Sequence, residues 1–123
     1  MQAVTMHHDL AAGRWAMLTL AEQLGNVGSE VDRAIRSWEA GNAKRFEGAL
    51  DRALELFDLT VRDGRWRGHR RREILRAREE FCRLFFDENV PQSSAPGLSK
   101  YFLQFAVLAR RNMPQVSRVA EPG

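Results

Sequence analysis

The stretch from Asp9 to Glu39, DLAAGRWAMLTLAEQLGNVGSEVDRAIRSWE, decides the fold. Its apolar and small residues fall at Met17, Ala21, Leu24, Gly28, Val31, Ile35 and Trp38, in alternating steps of four and three. That is the seam of an amphipathic helix, because positions three and four apart return to one face. The interruptions are Gly25 and Gly28, each costing about 1 kcal/mol relative to alanine in a helix interior. Their neighbours Asn26 and Ser29 also suit a turn, so a break near Gly25 is the alternative. The period runs through both glycines and predicts one helix over 9–39, about 46 Å at about 1.5 Å per residue. On this reading Gly28 lies in the seam, where a missing side chain lets another helix approach closely.

Beyond this helix, Ala40, Gly41 and Asn42 form a short connector, with Gly41 placed to cap in the left-handed conformation. A second helix is expected over 43–61, with Phe46, Ala49, Leu50, Ala53, Phe57, Thr60 and Val61 on its core face. Glu47, Asp51, Glu55 and Asp58 follow at steps of three and four on the other side, as one acidic stripe. Asp63 and Gly64 end that segment. A third helix should run from there to about Glu88, burying Trp66, Ile74, Ala77, Phe81, Cys82, Leu84, Phe85 and Phe86. The run NVPQSSAP at 89–96 cannot continue a helix, and Ser94 is placed to cap a fourth over 97–112, which packs Leu98, Tyr101, Phe102, Phe105, Leu108 and Ala109. No stretch alternates with period two, and no unit repeats. The expected fold is all-α: an antiparallel up-and-down four-helix bundle over 9–112, flanked by flexible ends at 1–8 and 113–123.

A chain of 123 residues makes one domain, which excludes a multidomain enzyme. With 44% hydrophobic and 28% charged residues it has the composition of a chain that folds unaided. One cysteine forms no internal disulfide, and no basic segment leads into an apolar run at the N-terminus, so a cytoplasmic protein is expected. No apolar run approaches the roughly 20 residues needed to cross a bilayer, and no membrane partner is expected.

The cations carry the functional signal. Of 19 Lys and Arg, all but Lys44 and Lys100 are arginine. Residues 1–61 hold 6 basic and 9 acidic groups, whereas residues 62–123 hold 13 and 7. The excess sits in one place: Arg62, Arg65, Arg67, Arg70, Arg71, Arg72, Arg76 and Arg78, with Trp66 and His69 among them. Pairing at i,i+4 would satisfy Arg76 through Glu80 and Arg83 through Glu79. Arg65 to Arg72 fall at the start of the third helix, where the helix dipole favours anions and disfavours cations. An external polyanion would relieve that conflict. Arginine's planar fork binds phosphate through two hydrogen bonds, and Trp66 offers a surface for a base to stack on. RNA or DNA is the favoured partner. The alternatives are a protein partner, with the arginines meeting the acidic stripe of another subunit, and arginine-rich codon usage without function. The remaining nine arginines are scattered, several beside carboxylates, and fit codon usage.

Chemistry finds little support. His7, His8 and Asp9 form a compact trio ahead of the first helix and read as structural, not as metal ligands. No Glu-x-x-His pair supplies a di-iron site, Cys82 reads as a small core residue, and no Gly-rich phosphate loop, paired-cysteine motif or nucleophile elbow is present. No cofactor or metal is expected, and the chain is expected not to be an enzyme. One arrangement keeps RNA cleavage open: His69 as general acid or base, with Arg62 on the phosphate.

The segments LAEQLGNVGSEVDRAI at 20–35, REILRAREE at 72–80 and KYFLQFAVLARR at 100–111 resemble those of small prokaryotic helical proteins. In size and layout the chain also resembles the four-helix-bundle family of proteins encoded in ribosomal RNA intervening sequences and of the accessory variability proteins of diversity-generating retroelements. That resemblance implies a basic, ring-forming homo-oligomer that binds nucleic acid and a reverse transcriptase. The pair Arg62 and His69 also meets the Arg-x(4–6)-His pattern of the HEPN helical toxins and their partners, which would imply an RNase. In that group the motif lies within a late helix, whereas here it straddles a helix junction. The expectation is therefore a non-enzymatic accessory protein that binds RNA or DNA through Arg62 to Arg78 as a homo-oligomer, with an HEPN-like RNase and a protein-only adaptor as alternatives.

Overall fold

The structure, a computed structural model, describes residues 13–111. Four long helices carry the described chain: α1 (Leu20–Glu39), α2 (Ala43–Arg62), α3 (His69–Phe86) and α4 (Ala95–Arg111), with a 3-10 turn at Gln92–Ser94 leading into α4. No strand occurs among the described residues, so the fold is all-α. No helix among them is long and apolar enough to cross a membrane. The expected flexible ends at 1–8 and 113–123, and the trio His7, His8 and Asp9, lie outside the described residues.

The periodicity predicts one helix over 9–39, but it is interrupted: residues 13–15 are helical, turns follow at 16–18, and a new helix starts at Leu20. Thr19 caps it: the Thr19 hydroxyl accepts the Glu22 N–H at 3.1 Å and the Glu22 carboxylate accepts the Thr19 N–H at 2.8 Å. This reciprocal box satisfies two backbone donors that a helix start leaves open. Upstream, Met17 and Leu18 close tight turns onto Arg14 and Trp15, and Met17 is 83% exposed, so the seam begins after it. From Thr19 onward the helix is unbroken through Gly25 and Gly28. The Asn26 side chain donates back to the Glu22 carbonyl at 2.8 Å instead of making a turn.

Gly28 does what its place in the seam implies. A Cβ there would stand 2.5 Å from the Phe102 Cβ, and one on Gly25 would stand 3.1 Å from the Ala106 Cα. Helix α4 therefore crosses α1 in near-backbone contact, which only residues without side chains allow. The α1–α2 link is a Schellman turn with Gly41 at φ +71: the Gly41 N–H bonds the Trp38 carbonyl and the Asn42 N–H bonds that of Ser37. Asn42 then caps α2 by accepting the Arg45 N–H.

Three rings form the centre. Phe57 of α2 lies 5.8 Å from Phe81 of α3 and 5.9 Å from Phe102 of α4, between ring centroids, and all three are fully buried. Truncating any one to alanine removes about 3–5 kcal/mol. Helix α1 packs against them with Leu24, Val27, Val31, Ala34 and Ile35. Two expected core positions are outside it: Phe86 is 67% exposed and Leu108 is 44% exposed, because each sits beyond the arc that faces the other helices. Cys82 is half-buried, and burial pushes its thiol up.

Candidate nucleic-acid interface

The third helix also begins later than expected. Residues 63–68 form a loop, so Arg65, Trp66 and Arg67 precede α3 instead of lying in it. Gly68 sits at the N-cap position with φ +58 and offers no side-chain cap, while its carbonyl receives the Arg72 N–H at 3.0 Å. A residue with a Cβ disfavours that backbone, which is why the chain turns into α3 here.

The loop is held by a polar clasp around Gln23, a fully buried side chain of α1. Its Nε2 donates to the Trp15 carbonyl and to the Asp63 carboxylate, both at 2.9 Å. Its Oε1 accepts the Trp66 indole N–H at 2.7 Å. Trp15 in turn donates to the Thr60 hydroxyl at 2.9 Å, and Thr60 donates to the Leu56 carbonyl at 2.8 Å. No buried side-chain nitrogen or oxygen among the described residues lacks a partner. A satisfied network of this kind costs little to bury and specifies one arrangement of the three segments it joins.

Arg65 completes the clasp. Its guanidinium contacts both Asp63 oxygens, with Nη2 at 2.7 Å, and also donates to the Leu18 carbonyl at 2.6 Å. The Asp63 side chain keeps only 6% exposure, yet Arg65 beside it, together with the Gln23 amide, holds its carboxyl well below the usual carboxylate range. The same bonds raise Arg65. Its guanidinium also covers the Trp66 ring, 4.6 Å from the centroid, in cation–π geometry. Trp66 is half-buried, its N–H engaged and that face occupied.

Others of the cluster are bonded internally. Arg78 pairs with Asp58 of α2 at 3.1 Å, Arg62 donates to the Asp58 carbonyl at 3.3 Å, and Arg67 donates to the Gly64 carbonyl at 2.9 Å. The expected helical pairs do not form among the described residues: Arg83 pairs with Asp87 at 3.0 Å and not with Glu79, and Arg76 has no ion pair with Glu80. Arg70, Arg71, Arg72 and Arg76 are exposed and make no ion pair among the described residues. The first turn of α3 contains no acid. Along one stripe His69, Arg72, Glu73 and Arg76 line a shallow depression of about 350 Å³. Arg62 ends α2 and His69 begins α3, with the loop between them and, among the described residues, no hydrogen bond joining the two.

Sequence periodicity did not point to Gln23, because a glutamine between Ala21 and Leu24 reads as surface. The T-x-x-E box at Thr19 was available as a signal, and it would have placed the start of the first helix at Leu20. Among the described residues no group of three His, Cys, Asp or Glu is arranged to hold a metal ion. Comparison with known proteins finds no matching family model, no similar curated protein and no similar solved structure.

Proposed function

We propose that the chain is an antiparallel up-and-down four-helix bundle that binds RNA or DNA without catalysing a reaction, through the arginines at the start of α3. The observation that carries this reading is what remains once the internally bonded arginines are set aside. Arg70, Arg71 and Arg72 project from a helix start whose first turn has neither an acid nor a side-chain cap, Arg67 lies just before it, and Arg76 follows one turn beyond Arg72 with Glu73 between them. Like charges so placed oppose the helix dipole as well as one another, and phosphates relieve both conflicts. Arg62 and His69 flank the group, while Arg65, Trp66 and Arg78 are its framework.

The family resemblance adds a setting, a homo-oligomer serving a larger RNA or reverse-transcriptase assembly, and the single cysteine favours the cytoplasm. Leu103 and Val107, exposed and four apart on α4, support a second copy as a neighbour.

The test is binding of single-stranded RNA and duplex DNA by fluorescence anisotropy as salt rises. About five phosphate contacts on a duplex give a log–log slope of about −4 to −5. Replacing Arg70, Arg71 and Arg72 together should remove most of the slope. No binding at low salt, or an unchanged slope in that variant, defeats the proposal.

A further inference from the structure

A second basic cluster stands at the other end of α2, built from residues far outside the 62–78 run. The C-terminal third of α1 supplies Arg33 and Arg36, and the first half of α2 supplies Lys44, Arg45 and Arg52. They line one open groove of about 870 Å³. In the sequence these cations are spread from position 33 to position 52. The tight turn at Gly41 folds α2 back along α1 and gathers them.

Two features distinguish the groove from an ordinary solvated face. No aspartate or glutamate lines it. The nearest counter-charge is Glu30, which receives Arg33 Nη1 at 3.0 Å and Arg52 Nε at 3.3 Å and so orients those two guanidinium groups. Arg36, Lys44 and Arg45 make no ion pair among the described residues. At Gly48 the missing side chain leaves the groove wall low, and the Arg52 guanidinium lies across it, 3.5 Å from where a Cβ would stand.

Five cations and no carboxylate line the groove, although Arg36 also borders a neighbouring depression with Asp32 and Glu39, and such a lining selects a multivalent anion. Guanidinium forks match phosphate oxygens bidentately, and an ammonium beside them adds a point charge. No aromatic side chain lines the groove, so nothing there stacks on a base. We infer that this groove is a binding site for a chain of phosphates, recognised through its charge and not through any attached base. The ligand chemistry is shared by a free polyphosphate and by the backbone of a nucleic acid. The site is separate from the α3 arginines and does not depend on their role.

The experiment is calorimetric titration of the full chain with inorganic tripolyphosphate, and separately with single-stranded RNA, at low salt. The groove variant combines Arg36→Gln, Lys44→Gln and Arg45→Gln. None of these side chains is buried, and the two on α2 sit where a helix start disfavours cations, so the fold does not rest on them. Tripolyphosphate affinity should fall at least about tenfold in this variant, the loss of one or more charge-assisted bonds. It should fall less when Arg70, Arg71 and Arg72 are replaced by glutamine. A parallel fall in RNA affinity assigns the groove to a nucleic-acid backbone; RNA affinity that stays put assigns it to free polyphosphate. As a second readout on wild type, tripolyphosphate should shift the backbone amide resonances of 33–52, whether or not those of 69–76 also move. No tripolyphosphate binding, equal binding by the groove variant, or shifts confined to 69–76 overturns the inference. RNA binding by the α3 arginines is read separately, from the variant in which they are replaced.

Discussion

Gln23 Oε1 lies 2.7 Å from the Trp66 indole nitrogen, joining residues 43 positions apart. Through this bond the first turns of one helix set the loop that leads into the arginine-bearing helix. Gln23→Leu nearly keeps the volume and removes the amide. It leaves the Trp66 N–H without a partner and takes one donor from the Asp63 carboxylate and one from the Trp15 carbonyl, which keeps the Leu18 N–H; an unsatisfied buried group costs about 1–3 kcal/mol. The expected loss is about 1–3 kcal/mol, seen as a lower urea midpoint with an unchanged slope. A loss under about 0.5 kcal/mol would show that the clasp does not hold the fold.

Two glycines in helices should respond with opposite signs. Gly28→Ala gains about 1 kcal/mol of helix propensity. Its Cβ must occupy space 2.5 Å from Phe102 Cβ, however, and forced overpacking costs about 1–3 kcal/mol. The net effect should be destabilising. Gly48→Ala meets only the far end of Arg52 at ordinary contact distance, so it should stabilise by about 0.5–1 kcal/mol. Thermal denaturation of the two single variants checks both signs.

Tyr101 gives a pH signature that can be followed directly, because it is the one tyrosine of the chain. Burial, then the negative charges of Glu73 and Glu80, push its hydroxyl up to about 12. An unfolded tyrosine ionises near about 10. Between these values the unfolded chain releases its proton and the folded chain keeps it, so stability falls as pH rises from about 10 towards about 12. Ultraviolet titration of tyrosinate should show a midpoint well above that of the denatured chain. Tyr101→Phe should flatten this alkaline loss of stability; a native midpoint near about 10 contradicts the burial argument.

Neighbouring arginines should divide into two kinds. Arg65→Ala breaks the pair with Asp63 and the bond to Leu18, leaving a nearly buried carboxylate short of donors. It should lower stability by about 1–3 kcal/mol and give, at temperatures where it remains folded, a salt slope for RNA close to that of wild type. Arg71→Ala should leave the melting temperature within about 2 °C and reduce the salt slope by about 1. Reversal of the pattern would mean that the clasp and the binding face have been assigned the wrong way round.

Much of the fold was legible because its signals are local or periodic. The seam through Leu24, Gly28 and Val31, the turn at Gly41 and the boundaries of α2 all follow from residues that are close in sequence. The two late helix starts were not, for different reasons. At Thr19 the apolar period extends upstream past a capping box, and the box wins because it satisfies backbone donors that a period cannot. At Gly68 the deciding factor is the loop before it, held by Gln23 and Asp63 from segments far apart in the chain. The arginine cluster was visible as composition. Which of its members serve the fold was not, since Arg65's partners include a carbonyl 47 positions away. The groove formed by Arg33, Arg36, Lys44, Arg45 and Arg52 was invisible for the same reason, its members being scattered until two helices fold together.

The clasp also orders events in time. Trp15 meets Thr60 across 45 positions and Gln23 meets Asp63 across 40, so these bonds close long loops and reward the chain only after α1 and α2 have docked. Contacts of that kind are late to form and early to open. The loop at 63–66 should accordingly exchange its amide hydrogens faster than the centres of α1 and α2. Any ligand that prefers the closed loop slows that exchange by mass action, and the slowing reaches the Trp15 indole. The end of the molecule that holds the arginines in place is thus also where a ligand bound to them should be felt.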